Sequence, residues 1–164
     1  MWTLQEVLGE RLVAVVLFGS RARGDAGETS DWDLLVIAED LPQRVLERQL
    51  LLGQTLFKKC DGAISILAKT PQEFEASVPS LYLDIALDGQ ILYDPRGYAA
   101  QKLATVRRLI ERLGLCRETT EAGDLWRWEK KPAGALALAE EAVRLARELA
   151  GGSSPAKPSP LPPA

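Results

Sequence analysis

The chain has 164 residues, a formal charge of −3 and no histidine. That length suits one domain with an appendage and can bury a core. The charge leaves no basic footprint for general nucleic-acid binding. The missing histidine excludes imidazole bases, His-dependent triads and His-ligated zinc. Chemistry here must rest on carboxylates, a metal ion and Arg or Lys. The cysteines, Cys60 and Cys116, lie far apart without ligand spacing, so reduced thiols and a cytoplasmic setting are expected. No apolar run is long enough for a membrane span, and the first residues lack the charged and apolar regions of a signal peptide.

The first predicted element is a helix over 3–11, with Thr3 as N-cap and Glu6 three positions on, a capping-box pattern. Leu4, Val7, Leu8 and Leu12 supply its apolar face. Val13 to Phe18 is a continuous apolar, β-branched-rich run, which predicts a strand buried on both faces. Gly19-Ser20 ends it in a predicted turn. Gly19 lets the backbone turn sharply and a ligand approach closely. Ser20 offers a hydroxyl and an N–H, and Arg21 and Arg23 follow, so the stretch reads as a polyphosphate cradle. A glycine-punctuated polar loop over 24–29 leads through Ser30 to Asp31-Trp32-Asp33 and the apolar run Leu34–Ile37. If Asp31 and Asp33 open that second strand, its two-residue period puts both carboxylates on one face and Trp32 on the other. Adjacent ionised carboxylates call for a cation, and Mg²⁺ works with one or two carboxylates plus substrate phosphates. The combination fits metal-assisted attack on a nucleoside triphosphate. Asp25 and Glu28 read as solvated loop charges. Ser30 reads as a loop-orienting or phosphate-contacting residue, since no base is at hand to activate it.

Gly19-Ser20, ten intervening residues and Asp31-x-Asp33 resemble the signature of the nucleotidyltransferase superfamily with a polymerase-beta-type palm. Ala22-Arg23-Gly24, Ser30 and the apolar run after Asp33 are similar to its minimal nucleotidyltransferase branch. The resemblance implies an α/β palm-like fold with a small mixed sheet, packed helices and a helical C-terminal extension. It implies transfer of a nucleoside monophosphate, AMP foremost, from ATP or another NTP with release of pyrophosphate. Asp31 and Asp33 would hold two Mg²⁺ ions, and Gly19, Ser20, Arg21, Arg23 and Ser30 would bind the nucleotide. A third carboxylate is expected from the strand beside Asp-x-Asp. The nearest one here is Asp61, which either reaches the site or sits in an Asp-Gly turn. Minimal members are often paired with a small helical, HEPN-like toxin that they modify with AMP. Alternatives are a non-catalytic nucleotide- or partner-binding protein of the same fold and, more weakly, an aminoglycoside-type transferase.

Further on, a helix is expected from Pro42 to Phe57, with Arg44 and Arg48 solvated, and then a strand over Ala63–Leu67. Thr70-Pro71-Gln72-Glu73 predicts a capped helix start with the helix running to about Val78 and Glu73 and Glu75 on its surface. A short helix over Leu81–Leu87 and a fourth strand over Gln90–Tyr93 follow. Tyr82, Tyr93 and Tyr98 read as packing residues. Residues 99–113 predict an amphipathic helix with Leu103, Val106, Ile110 and Leu113 inward, Lys102 outward and Gly114 as C-cap. The chain is then polar to about Asp124, and Trp126 and Trp128 predict an extended segment with both rings on one side. Residues 134–149 predict an Ala/Leu-rich helix packing on this core, a partner or a second copy. Residues 150–164 are Pro/Ser-rich and expected to be disordered. The expected organisation is a core over 1–98, a helical extension over 99–149 and that tail.

Overall fold

The computed structural model describes residues 2–56, 62–120 and 123–129. Helix α1 (Trp2–Leu8) passes through a tight 3₁₀ turn at Gly9–Arg11 into β1 (Leu12–Phe18). Then come α2 (Gly19–Arg23), β2 (Trp32–Ala38), α3 (Val45–Leu56), β3 (Ile64–Lys69), α4 (Pro71–Glu75), α5 (Ser80–Asp88), β4 (Gln90–Tyr93) and α6 (Tyr98–Leu113). A hairpin of β5 (Leu115–Thr120) and β6 (Gly123–Trp128) closes the described chain.

The sheet has the order β3-β2-β1-β4 and is mixed: β1 runs antiparallel to both β2 and β4, while β2 and β3 are parallel. A parallel pair needs a crossover, and α3 provides it. β1 and β2 are central, so their apolar runs are buried on both faces; Ala14, Val16, Leu35, Val36 and Ile37 are inaccessible to solvent. Each fully buried large aliphatic contributes about 1.5–3 kcal/mol relative to exposure. On one face Val16, Leu35 and Ile37 pack with Phe74, Tyr82, Ile85, Leu103 and Val106 from α4, α5 and α6. On the other, Val15, Leu17, Leu34 and Val36 pack with Leu4 and Leu8 of α1 and Leu52 and Leu56 of α3.

Several expectations need correction. The predicted turn at Gly19-Ser20 is the start of α2, because Gly19 takes a left-handed φ of 75° and the next residues wind into a short helix. β2 begins at Trp32, leaving Asp31 in the preceding loop. α1 starts before Thr3, so Thr3 lies within the helix rather than capping it. α3 starts at Val45 rather than Pro42, and α4 ends at Glu75, short of Val78. Its predicted cap is present: Thr70 Oγ1 accepts from the Glu73 N–H at 3.2 Å and the Glu73 carboxylate accepts from the Thr70 N–H at 3.0 Å.

Arg48 is buried rather than solvated, because α3 lies over the C-terminal end of β3. It donates to the carbonyls of Pro42 and Ala68 and, bidentately, to Glu73 at 2.6 and 2.7 Å. Lys102 is buried too, paired with Glu75 at 2.8 Å where α6 crosses α4. Glu73 and Glu75 are therefore ion-pair partners of buried cations, not free surface. The polar stretch after Arg117 is the β5–β6 hairpin, with Trp126 packed against the core and Trp128 exposed. Asp61, Cys60, the predicted helix over 134–149 and the tail lie outside the described residues.

Candidate active site

The site lies where β1 ends and β2 begins. Because the two strands are antiparallel, Phe18 pairs with Asp33. On the other side of β2 the parallel register puts Ser65 opposite Asp33. Cross-strand partners share a face, so the Asp33 carboxylate stands between the end of β1 and Ser65, whose hydroxyl donates to it. It also lies over Gly19: a Cβ on that residue would come within 2.2 Å of Asp33 Oδ2. Glycine at 19 is needed twice, for its left-handed backbone and for the space the carboxylate takes.

Burial pushes the Asp33 carboxyl above the ordinary carboxylate range, and the neighbouring Asp31 charge adds to this. The Ser65 hydrogen bond and the Arg23 charge oppose it. Asp31 is exposed in the loop ahead of β2. Among the described residues, no three His, Cys, Asp or Glu side chains group as metal ligands. The donors in hand are two carboxylates. That all-oxygen set fits Mg²⁺, which takes one or two carboxylates together with substrate phosphates.

The other predicted residues divide. Ser20 is the second residue of α2, and its carbonyl accepts from the Gly24 and Asp25 N–H groups. Arg23, in the last turn of α2, pairs with Asp25 at 3.0 Å and faces the Asp33 charge. Arg21 reaches into the loop ahead of β2: its Nε and Nη2 donate to the Ser30 carbonyl at 3.0 and 2.6 Å, and its guanidinium lies 4.4 Å from the Trp32 ring centroid. Ser30 braces the loop, its Oγ accepting from the Gly27 N–H at 2.9 Å. The roles of Ser65 and Trp32 were missed. The parallel register that puts Ser65 beside Asp33 is a tertiary fact, although a lone polar residue amid AISIL was a signal.

A family model described as a nucleotidyltransferase domain matches residues 3–92, which contain every element of this site. The chain belongs to the nucleotidyltransferase domain family. Two relatives from Methanocaldococcus jannaschii, each named "putative protein adenylyltransferase", are similar to it. One is 32% identical over 113 residues, 66% of this chain and 77% of the relative. The other is 44% identical over 39 residues, 24% of this chain and 39% of the relative. A solved toxin–antitoxin structure with AMP-PNP shares the fold at a TM-score of 0.52 and 20% identity, covering 68% of this chain and 84% of that one. As a nucleotidyltransferase, the chain catalyses transfer of a nucleoside monophosphate from a triphosphate. No helix among the described residues is long and apolar enough to cross a membrane.

Proposed function

We propose that this nucleotidyltransferase moves AMP from ATP onto a hydroxyl of a partner protein, and that the partner is a small helical, HEPN-like toxin for which it serves as antitoxin. The observation that carries the chemistry is the Asp33 carboxylate, held over Gly19 with Asp31 and Arg23 beside it. The protein acceptor is supported by the relatives named for protein adenylylation. The toxin partner is supported by the likeness of fold to an antitoxin complex and by the resemblance of the Gly-Ser and Asp-x-Asp motifs to minimal nucleotidyltransferases.

In this reading Asp31 and Asp33 hold two Mg²⁺ ions, and Asp61 adds a third carboxylate. Bound Mg²⁺ supplies charge neutralisation of the phosphates and a fixed orientation for them. Gly19 and Ser20 receive the triphosphate, with no side chain at Gly19 to hinder its approach. Arg23 neutralises charge building on the departing pyrophosphate. Ser30 steadies the loop between cradle and carboxylates, and Ser65 holds Asp33 in rotamer. The acceptor hydroxyl gives up its proton to water as its oxygen bonds to the α-phosphorus, and the bond from that phosphorus to the α,β-bridging oxygen breaks, so that pyrophosphate leaves with the bridging oxygen. Two cysteines far apart without ligand spacing suit a cytoplasmic setting.

A thermal-shift series with the four NTPs, with and without Mg²⁺, on wild type and Asp33→Asn tests this. Saturating ATP at a hundred times its Kd stabilises the native state by about 2.7 kcal/mol. The expected result is a Mg²⁺-dependent rise with ATP in the wild type that is lost in Asp33→Asn. A variant that kept the full shift would remove Asp33 from the metal site. AMP transfer from labelled ATP to a purified HEPN-like protein would then test the acceptor.

A further inference from the structure

We propose that Arg21 is a positioning residue: its guanidinium grips the residues on both sides of Asp31 and so sets where that carboxylate stands. The proposal rests on the metal–nucleotide reading above and reassigns Arg21 within it, from triphosphate ligand to clamp. Arg21 leaves α2 on one side of the loop, and its Nε and Nη2 both donate to the Ser30 carbonyl. Its flat face covers Trp32, with the guanidinium carbon 4.4 Å from the ring centroid. Ser30 and Trp32 are the immediate neighbours of Asp31, so one side chain fixes the backbone before it and the side chain after it.

The rest of the fold explains why a clamp is needed. Asp31 lies outside β2 and has no ladder bond among the described residues, whereas Trp32 is anchored by its N–H to the Ala63 carbonyl at 2.8 Å. The loop from Gly24 is otherwise braced by short-range contacts, Ser30 N–H to the Gly27 carbonyl at 3.2 Å and Gly27 N–H to Ser30 Oγ at 2.9 Å. Those fold the loop on itself; its first residues are tied to α2 by the Arg23–Asp25 pair and by the Gly24 and Asp25 N–H groups on the Ser20 carbonyl, and Arg21 is what ties its far end, beside Asp31, to α2. Strand alternation puts Trp32 on the opposite face of β2 from Asp33. A guanidinium stacked on that ring is directed away from the face where Asp33 would meet a substrate. Arg23, two residues on, is the arginine left for the phosphates.

Lysine keeps the charge of Arg21 but has neither the planar fork nor the stacking face. This separates the two roles. A phosphate ligand tolerates Arg21→Lys in part and is indifferent to Trp32; a clamp fails in Arg21→Lys and in Trp32→Leu alike. Amide hydrogen exchange on the full-length, nucleotide-free protein should show residues 24–31 exchanging about tenfold faster in both variants, the scale set by a charge-assisted bond and a cation–π contact. Calorimetric titration with ATP should show the Mg²⁺-dependent gain in affinity falling by about tenfold in both. Affinity for ATP without Mg²⁺ should stay within about threefold, since the charge is kept. The double variant should be no worse than either single one, as expected of two residues acting as a unit.

Wild-type exchange and Mg²⁺ response in Arg21→Lys would overturn the proposal. So would an Arg21→Lys loss that is equal with and without Mg²⁺ while Trp32→Leu is silent. Should wild-type ATP affinity not respond to Mg²⁺ at all, the metal–nucleotide reading fails instead. The exchange measurement then decides the clamp: faster loop exchange in both variants upholds it and unchanged exchange overturns it.

Discussion

Gly19 shows how a single missing side chain fixes the spacing of a site. Its left-handed φ of 75° would cost any L-residue about 1–2 kcal/mol. A methyl there would in addition meet Asp33 Oδ2 at 2.2 Å, so the carboxylate must rotate or the end of β1 must move. Gly19→Ala should therefore lower the melting temperature by roughly 2–8 °C and abolish the Mg²⁺-dependent shift with ATP; a melting curve with and without Mg·ATP checks both. A variant with wild-type melting and an intact shift would mean that the strand end yields freely. Gly19 and Asp33 were legible in the sequence because each adjoins a long apolar strand, so their place at a strand end follows from one-dimensional pattern. The direction of Arg21 was not. It depends on α2, which forms only because Gly19 turns the chain into a helix where a simple turn was expected.

At the scale of elements, the same contrast separates α3 and α4 from the strands. Periodicity located α3, but it marks any arginine as solvent-facing, and only the crossover that lays α3 against β3 brings Arg48 to the carbonyls of Pro42 and Ala68 and to Glu73. The hydrogen bonds from Arg48 hold the Glu73 carboxyl down at about 2, from an ordinary 4.5. A depressed carboxyl contributes stability that is fully present above its unfolded value and lost as pH falls through its folded one. Glu73→Gln leaves the Arg48 charge buried with neutral partners only. Its side chain is 6% exposed but that of Glu73 is 39%, so the cost is below that of a fully buried pair, at about 1–2 kcal/mol near neutral pH. The gap between wild type and variant should hold above pH 4.5 and close as pH falls toward 2. Urea unfolding across that window measures it. A gap independent of pH would show that the loss comes from packing and capping rather than charge. The sequence reading anticipates β6, as the extended segment around Trp126 and Trp128, but not β5 or the hairpin, for a related reason. Only one face of a two-stranded ribbon meets the core, and LCRETT offers too few apolar residues to announce a strand.

The whole molecule joins these parts through α5. Just past its end, Gln90 Nε2 at the start of β4 donates to the Ala22 carbonyl of α2 at 2.7 Å, which ties the sheet edge to α2. On its outer side, Asp84 accepts from Trp126 Nε1 at 3.1 Å, and Arg117 of β5 pairs with both Asp84 and Asp88. Arg117 also lies 3.8 Å from Asp124 on β6, so one guanidinium gathers three carboxylates from two elements. All four side chains are 20–28% exposed, dry enough for the charges to matter. Arg117→Ala leaves those carboxylates facing one another and should destabilise the hairpin's docking by about 1–3 kcal/mol. The core of β1, β2, α5 and α6 is built without Arg117, so the loss should be local. Amide exchange should accelerate across residues 115–120 and 123–128 while β1 and β2 keep their protection, and Trp126 emission should shift to the red as its ring leaves the core. Equal loss of protection in the central strands would mean that the hairpin and the sheet unfold as one unit. In that case the hairpin stabilises the cradle through α5, and Mg·ATP binding should weaken in Arg117→Ala as well.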